Sequence, residues 1–380
     1  PWMVSRANWR IILCGCFAIG GMTYEDEFPE TRALLDFGLE AMLTCFATGD
    51  EAGGWNEGPG YWDYGLGYAV AFARCLKIHT GGAVDLFQHP FLRKTGDFRL
   101  FMQPRPNEIW NWSDASKRTG SSITLLGLAR AYRHPAYQWL SLANGVKTIS
   151  QLYLYDPTLK PRQPARESSR RYFPGVGVAV WREGFGPRDA YIGVQAGEIP
   201  HFNHHCHMDF GSLVIHAEGR ELLAEEDKWG YPYEGRKDPK QKGYQPGYYD
   251  LANKRWMRWD FDYVAAIGHN VVTLEGIYPK PAIGLKARFL KMASGNGYDT
   301  AIVDTTAACR PLARRVHRYI VYLRPDVVLL VDEVLSRQPV RARVQYHYLK
   351  KATLGDDTFT FESGPARLHW QSLYPAKADH

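Results

Sequence analysis

Apolar residues in the first part of the chain recur at spacings of three and four, which is the pattern of amphipathic helices. The pattern covers residues 9–24, 29–48, 61–79 and 119–133. It is clearest in TRALLDFGLEAMLTCF, where Thr31 predicts the start of a helix and Gly49-Asp50 its end. About five or six helices before Pro157, separated by loops with glycine and proline, predict an α/α barrel or part of one.

The helical pattern ends in a proline-rich, basic stretch, residues 156–171, which we interpret as a linker. From Tyr172 onward, short apolar runs separated by turns predict a large antiparallel sheet or sandwich. The runs are GVGVAVWR, DAYIGVQAG, GSLVIHAE, HNVVTLEG, KARFLKMAS, YDTAIVDTT, VHRYIVYLR, DVVLLVDEV, RARVQYHYL and TFTFES. The sequence therefore predicts an α+β multidomain protein, with a helical domain at 1–155 and a β-sheet domain at 172–380.

Histidines are concentrated in HFNHHCHMDFGSLVIHAEGRELLAEE, residues 201–226. Four of the thirteen lie in its first seven residues, at His201, His204, His205 and His207. The second half of the stretch predicts two short strands joined by a turn at Glu218-Gly219. If the first strand begins near His205, alternation of side chains places His205, His207 and Asp209 on one face.

A metal site is one interpretation of this cluster, because imidazole and carboxylate groups are ligands that suit zinc or a similar divalent ion. Glu225 returns on the far arm of the predicted hairpin, and His269, in the strand-like run HNVVTLEG, could supply a further nitrogen. The alternative is a polar sheet edge with surface histidines. We favour metal or active-site chemistry, because His-x-His-x-Asp-x-Gly-Ser gathers so many reactive side chains.

A second concentration of chemistry is GGWNEGPGYWDYGLGY, residues 53–68. Gly58-Pro59-Gly60 predicts a turn, after which Tyr61, Tyr64 and Tyr68 share one face of a helix. The tyrosines either pack in an aromatic core or line a concave, hydroxyl-rich site. The loop NWSDAS, residues 111–116, either lines the same cleft or caps a helix through Ser113 and Asp114.

Composition narrows the classes of function. Aromatic residues make up 14% of the chain, with twelve Trp and twenty-three Tyr, and such side chains provide platforms for sugar rings. The formal charge is +6 and the isoelectric point about 8.9, which favours acidic partners such as nucleic acid or acidic polysaccharide. We find no nucleic-acid-binding motif.

Six scattered cysteines are too few for a disulfide scaffold, and we expect the thiols of Cys14 and Cys16 to be buried and reduced. The sequence contains no run of eighteen apolar residues, so it predicts no membrane-spanning helix. The apolar segment IILCGCFAIGGM lacks the flanks of a signal peptide. Because the chain opens at Pro1 in the middle of a pattern, we expect further N-terminal sequence, including a secretion signal.

Four motifs in order resemble the heparinase II/III-like polysaccharide lyases: NWRIILCGCFAIGGM, GGWNEGPGYWDYG, HHCHMDFGSLVIHAEGRELLAEE and HNVVTLEG. The resemblance runs from about Asn8 to the strands near residue 350. It implies an α/α toroid, here incomplete, followed by an antiparallel β-sandwich. It also implies a bacterial enzyme of the periplasm or the exterior that cleaves an acidic polysaccharide or oligosaccharide beside a uronic acid by β-elimination.

The resemblance further implies which residues act. Tyr64 is the first choice for the catalytic tyrosine and Tyr61 the second, and His205 is the other proton-transfer residue, at the interface of the two domains. Asn8 would bind and help to neutralise the substrate carboxylate. Several members have histidine after that asparagine, where this chain has Trp9, so a base is absent there. The expected substrate-binding residues are Glu57, Trp9, Trp112 and His204.

By the same resemblance, His207, Glu225 and His269 would hold one divalent metal ion, zinc by preference, in a mainly structural role. Glu225 stands where aspartate is usual in the family, and it still offers an oxygen ligand.

Two other classes stay open. A glycoside hydrolase on a similar barrel would need two carboxylates, for which Glu57 with Asp63 or Asp114 could be nominated. A non-catalytic protein that binds polyanions on the same scaffold is the other. The sequence does not select the polysaccharide, endo- or exo-action, or the oligomeric state.

Overall fold

The structure is a computed structural model that describes residues 7–166, 169–200, 205–227, 257–275 and 283–374. The chain divides into two compact units. Unit 1 holds the described residues of Pro1–Pro164, Tyr172–Val176 and Phe202–His205. Unit 2 holds those of Ala165–Arg171, Gly177–His201 and Cys206–His380. The first division falls inside the stretch predicted as linker, and two short later segments cluster with the helices.

Unit 1 is helical. Its described helices are α1 (Asn8–Tyr24), α2 (Arg32–Phe46), α3 (Gly58–His79), α4 (Pro90–Phe101), α5 (Ile123–Tyr132), α6 (Pro135–Ala143) and α7 (Ile149–Leu154). Helix α1 packs on α2 and α3, α3 packs on α5, and α5 packs on α6. The four helices predicted from apolar spacing are present as α1, α2, α3 and α5. Across the described chain, we find no helix both long and apolar enough to cross a membrane.

Helices α4, α6 and α7 are not predicted by apolar spacing, and local signals explain where they start. Pro90 and Pro135 lie in the first turns of α4 and α6, where a missing backbone N–H costs nothing. The side chain of His89 accepts a hydrogen bond from the N–H of Phe91 and caps α4. Helix α7 starts with a capping box of Thr148 and Gln151.

Fourteen strands follow in the described chain. They are β1 (Arg170–Phe173), β2 (Val178–Arg182), β3 (Tyr191–Gln195), β4 (Leu213–Ala217), β5 (Arg220–Leu223), β6 (Val272–Leu274), β7 (Arg288–Gly295), β8 (Tyr298–Asp304), β9 (Ala313–Leu323), β10 (Val327–Ser336), β11 (Ala342–Val344), β12 (Lys351–Leu354), β13 (Thr358–Ser363) and β14 (Ala366–Gln371). All ten predicted strands are among them, and β1 begins inside the predicted linker.

The strands form four sheets. Their orders are β1-β2-β3-β4-β5, β10-β9-β8-β7, β11-β6 and β12-β13-β14. The pairs with a defined register are antiparallel, as predicted. Apolar side chains from several strands form the core of unit 2, among them Trp181, Ile192, Leu213, Val303 and Ile320. The predicted class, an α+β multidomain fold, is confirmed.

The histidine-rich hairpin is partly as predicted. Strands β4 and β5 meet at Glu218-Gly219, where both residues have the positive φ, 52° and 72°, of a tight hairpin turn. The expectation of a strand from His205 is wrong, because residues 205–212 are irregular and β4 begins at Leu213. Gly211, at φ 78°, adopts a left-handed conformation that interrupts an extended chain.

Three smaller expectations are also corrected. Residues Gly58, Pro59 and Gly60 form the first turn of α3 and not a separate turn, because proline suits a helix start. His269 lies just before β6 and not within a strand, and β6 itself pairs with β11. None of the six cysteines forms a disulfide in the described structure, and Cys16 is exposed although Cys14 is buried, because a helix turns neighbouring residues to different sides.

Candidate active site and metal cluster

Helix α3 presents the tyrosines because its two sides differ. Trp62, Leu66 and Val70 are buried, and the indole N–H of Trp62 donates to Thr95 Oγ1 at 2.7 Å. The other side carries Tyr61, Tyr64 and Tyr68, whose rings follow one another edge to face at 6.5 and 6.0 Å between centroids. Tyr64 is 53% exposed, so its hydroxyl is open to a ligand.

His205 is buried in unit 1 and is held from several sides. Its ring stacks on Tyr61, with centroids 3.7 Å apart and planes 14° from parallel. Its Nδ1 lies 2.7 Å from Asp114 Oδ2, which is hydrogen-bond distance. Its backbone carbonyl accepts a hydrogen bond from Ser113 Oγ at 2.6 Å. The loop NWSDAS therefore binds His205 and does not cap a helix.

A buried carboxylate, Glu57, connects His205 to Asn8. The backbone N–H and the side-chain Nδ2 of Asn8 each donate to Glu57 at 2.7 Å. Trp55 Nε1 donates to the same carboxylate at 3.2 Å. Its Oε1 lies 3.6 Å from His205 Nε2. Burial raises the pKa of the Glu57 carboxyl, and His205 and the N–H donors oppose that shift.

Two glycines let these elements approach. A Cβ added to Gly65 on α3 would lie 2.9 Å from the Cβ of Asn8, so glycine permits the close contact of α1 with α3. Gly58 has a φ of 80°, and a Cβ there would lie 2.6 Å from the Cβ of Ser113. Both positions therefore require glycine, which brings Asn8 and the loop that holds His205 close to α3.

The structure brings together Asn8, Tyr61, Tyr64 and His205 in unit 1, as a site would require. Their chemical roles stay predictions. Asn8 is fully buried with its amide turned to Glu57, so direct contact with a substrate carboxylate would need the amide to become accessible. The predicted position of the pair between the two domains also stays a prediction.

The predicted substrate-binding residues fare differently. Trp9 is 61% exposed in the first turn of α1 and offers an open ring. Glu57 is 1% exposed and Trp112 is 7% exposed with its ring against Phe98. Burial argues against a direct substrate contact for both, although their role stays a prediction. His204 lies outside the described residues.

Asp114 is the functional candidate that sequence reasoning assigned to another chemistry. It was named as a helix cap and as an acid of a glycoside hydrolase, whereas it hydrogen-bonds the imidazole of His205 across 91 residues of sequence. The available signal was the polar-aromatic composition of the NWSDAS loop, which indicated a cleft but no partner.

The predicted metal ligands lie together in unit 2. The rings of His207 and His269 have centroids 5.3 Å apart, and Glu225 Oε2 contacts His269 Nδ1. Ser212 Oγ donates to the other oxygen of Glu225. Asn270 fixes the segment beside the hairpin, because its Nδ2 donates to Leu213 O at 2.8 Å and Ala224 O at 2.6 Å.

Two imidazoles and one carboxylate are ligand types that suit a divalent ion. In this structure, however, the carboxylate is hydrogen-bonded to one of the imidazoles. His207, Glu225 and His269 are all buried, and His269 Nε2 has no hydrogen-bond partner in the described structure. Burial raises the pKa of nearby Asp209 to about 7, with His269 opposing and Glu225 reinforcing the shift. As placed, no three His, Cys, Asp or Glu side chains of the described residues are arranged to hold a metal.

Among known proteins, the chain is similar to solved structures but not to a family model or a curated sequence. No protein-family model and no curated protein matches the chain. Solved structures do match. Heparinase III is similar with a TM-score of 0.71 and 13% identity, over 94% of this chain and 52% of that one. The heparan sulfate lyase HepC from Pedobacter heparinus gives a TM-score of 0.70 and 13% identity, over 97% and 52% of the two chains.

A further heparinase III, with methylated lysines, has a TM-score of 0.66 and 16% identity over 91% of this chain and 48% of its own. The chain thus spans about half the length of the structures it matches. At these identities the similarity establishes the fold. The chain has the fold of heparinase III and of a heparan sulfate lyase.

Proposed function

We propose that the chain is a polysaccharide lyase that cleaves an acidic, uronic-acid-containing polysaccharide by β-elimination. The observation that carries the proposal is the cluster of Tyr61, Tyr64 and an Asp114-bound His205 in a chain with this fold. Stacking and hydrogen bonding order the imidazole, and the exposed Tyr64 follows on the same helical face. Tyrosine and histidine are both side chains that transfer protons in catalysis.

The reaction needs three functions. A positive or hydrogen-bonding group must neutralise the substrate carboxylate so that the neighbouring carbon becomes acidic. A base removes the proton from that carbon, the electron pair forms a carbon–carbon double bond, and the bond to the glycosidic oxygen breaks. An acid protonates the departing oxygen. We assign the proton transfers to Tyr64 and His205, and the carboxylate contact to Asn8. His205 and Asn8 are 6% and 0% exposed, so these two roles require both side chains to become accessible to the substrate.

His207, Glu225 and His269 would, in this proposal, hold one divalent metal ion, for which zinc is the best match to two imidazoles and one carboxylate. A bound ion would replace the Glu225–His269 hydrogen bond and neutralise charge in a buried cluster that also contains Asp209. When bound, it supplies a structural link between the hairpin and the segment around His269.

The hydrolase alternative has little support from the geometry. A glycosidase places a sugar between its two carboxylates. Glu57 and Asp114 instead face the same imidazole at His205 Nε2 and Nδ1, and both carboxylates are buried. The remaining candidate, Asp63, accepts from Ser122 Oγ at 2.5 Å and lies 3.8 Å from Arg99 Nε.

A panel of acidic polysaccharides tests the proposal. We expect at least one glycosaminoglycan, alginate, ulvan or bacterial exopolysaccharide to yield unsaturated products that absorb in the near ultraviolet. The His205→Ala variant should lose that signal with its fold retained. New reducing ends without ultraviolet absorbance would indicate a hydrolase. Binding without either product would indicate a non-catalytic polyanion-binding protein.

A further inference from the structure

We propose that Asp114 is the positioning residue of the site, fixing the orientation and the tautomer of His205. The inference rests on the proposed function for its catalytic consequence, but its structural content can be tested without a substrate. Two consecutive residues of the NWSDAS loop form hydrogen bonds with His205. Ser113 Oγ donates to the backbone carbonyl of His205 at 2.6 Å, and Asp114 Oδ2 meets the ring at 2.7 Å.

The two ring nitrogens of His205 lie at different distances from their neighbouring carboxylates, and this difference selects the tautomer. Of the two carboxylates that face the imidazole, Asp114 is at hydrogen-bond distance from Nδ1, whereas Glu57 Oε1 is 3.6 Å from Nε2. An ionised carboxylate only accepts hydrogen bonds, so we assign the hydrogen of this pair to Nδ1. In a neutral imidazole the lone pair then resides on Nε2.

Burial makes this selection strong. The side chains of His205 and Asp114 are 7% and 0% exposed, so water offers the ring little competition for the Nδ1 hydrogen bond. Stacking on Tyr61 restricts tilting of the imidazole out of its plane, and the carboxylate restricts its rotation within that plane. Together the two contacts define which nitrogen is presented for proton transfer.

Loss of Asp114 would therefore affect the reaction through His205. An amide in place of the carboxylate can donate as well as accept, so it no longer forces the hydrogen onto Nδ1. Where a histidine depends on a carboxylate for its tautomer, this replacement impairs catalysis with little change of geometry. We expect Asp114→Asn to lower kcat about 100-fold, as misplaced catalytic groups do, with KM within about threefold of the original.

The test pairs kinetics with a direct view of the ring. The full chain, labelled with nitrogen-15 in histidine, would be compared with Asp114→Asn and with Asp114→Glu, which keeps the carboxylate. His205→Ala identifies the His205 signals. We expect an Nδ1–H form of His205 in the parent protein and in Asp114→Glu, and a mixed or Nε2–H form in Asp114→Asn. Partial recovery of kcat in Asp114→Glu relative to Asp114→Asn would support the role.

Asp97→Asn is the matched control, because Asp97, on helix α4 of unit 1, also accepts a hydrogen bond, from Tyr137 OH at 2.9 Å. It should leave both kcat and the His205 signals unchanged. An unaltered Nδ1–H signal in a folded Asp114→Asn variant would overturn the inference, whatever its activity. If the parent protein cleaves no polysaccharide, the proposed function fails, and the nitrogen-15 spectra still decide whether Asp114 sets the tautomer.

Discussion

At the scale of single residues, the site combines a buried, tightly held imidazole, that of His205, with the exposed phenol ring of Tyr64. His205 is enclosed by Tyr61 and Asp114, whereas Tyr64 is 53% exposed on the same helix face as Tyr61. A buried group can be held in one orientation, and an exposed one can meet a large substrate. Loss of the Tyr64 hydroxyl should therefore affect only turnover, whereas loss of the side chains around the buried imidazole should also affect packing.

Tyr64→Phe should strongly lower turnover without affecting the fold. The change removes one exposed hydroxyl, so we expect kcat to fall about 10²–10⁴-fold, the range for loss of a general acid or base. The thermal midpoint should stay unchanged. Product absorbance and thermal unfolding measure the two effects, with Tyr153→Phe, another exposed tyrosine of unit 1, as the control.

Tyr61→Phe provides the comparison, because phenylalanine keeps the ring that stacks on His205. Near-normal activity in Tyr64→Phe together with inactivity in Tyr61→Phe would transfer the catalytic role to Tyr61. Full activity in both variants would reject a tyrosine mechanism.

At the scale of elements, the β4–β5 hairpin is joined to the segment before β6 by side-chain hydrogen bonds and by a backbone hydrogen bond from Glu226 N–H to Gly268 O at 3.1 Å, without pairing of their strands. Asn270 bridges Leu213 and Ala224, and Glu225 contacts His269. A metal ion bound by His207, Glu225 and His269 would reinforce this junction, because binding to the folded state alone adds to the free energy of unfolding.

We therefore expect purified protein to contain about one equivalent of a divalent metal, by elemental analysis. His207→Ala should lose it, because one of three ligands is removed, and chelation should lower the thermal midpoint. His317→Ala removes a histidine of β9 outside this cluster and should retain the metal. Unchanged metal content in His207→Ala would reject the ligand assignment, and metal-free protein of full stability would reject the structural role.

A second junction in unit 2 is ionic. Arg324, in the turn between β9 and β10, donates to Glu183 at 2.8 Å, and its Nη2 donates to Asp299 at 2.6 Å. Arg166 also donates to Glu183. Burial raises the pKa of the Glu183 carboxyl, but these arginines outweigh it, so that the pKa lies below its ordinary value of 4.5. The contribution of Glu183 to stability is thus present above pH 4.5 and is lost as the pH falls through the lower, folded-state pKa.

Glu183→Gln should therefore cost about 1.5–3 kcal/mol of unfolding free energy at neutral pH, the range for hydrogen bonds to charged groups. The cost should shrink in acid, below the folded-state pKa, because the parent carboxyl is then protonated as well. Urea unfolding of the parent and the variant, at neutral pH and at a pH below the folded-state pKa, measures this cost. Glu218→Gln, which removes an exposed pair with Arg188, should cost little at either pH. A cost for Glu183→Gln that is independent of pH would contradict the ionic account.

At the scale of the whole molecule, the excess of basic residues is relevant to the proposed substrate. The formal charge of +6 should attract a polyanion over a distance that salt shortens. We expect the Kd for an uncleaved acidic polysaccharide, measured with His205→Ala, to rise about tenfold between about 0.1 and 1 M salt, as the Debye length falls from about 10 to 3 Å. A neutral polysaccharide of matched size is the control. A Kd unaffected by salt would mean that charge does not drive binding.

The fold class and part of the site could be predicted from the sequence because both depend on local periodicity. Apolar spacing located α1, α2, α3 and α5, and a three-and-four spacing placed Tyr61 and Tyr64 on one face. Period-two reasoning failed at His205, since alternation of polar residues does not report backbone turns such as that at Gly211. The pairing of His205 with Asp114 could not be predicted, because it depends on how distant segments pack.

Among the described residues, helix α1 has no side-chain cap from the residue that precedes it. Ala7 precedes it without a side-chain acceptor, and the first N–H, that of Asn8, is taken instead by Glu57, 49 residues away at the start of α3. A carboxylate in that position also complements the helix dipole. The first turn of α1 is therefore completed only after the chain has closed a long loop. The hydrogen bond at the start of α1 is thus a tertiary contact, which exists only where Asn8 and the start of α3 are docked together.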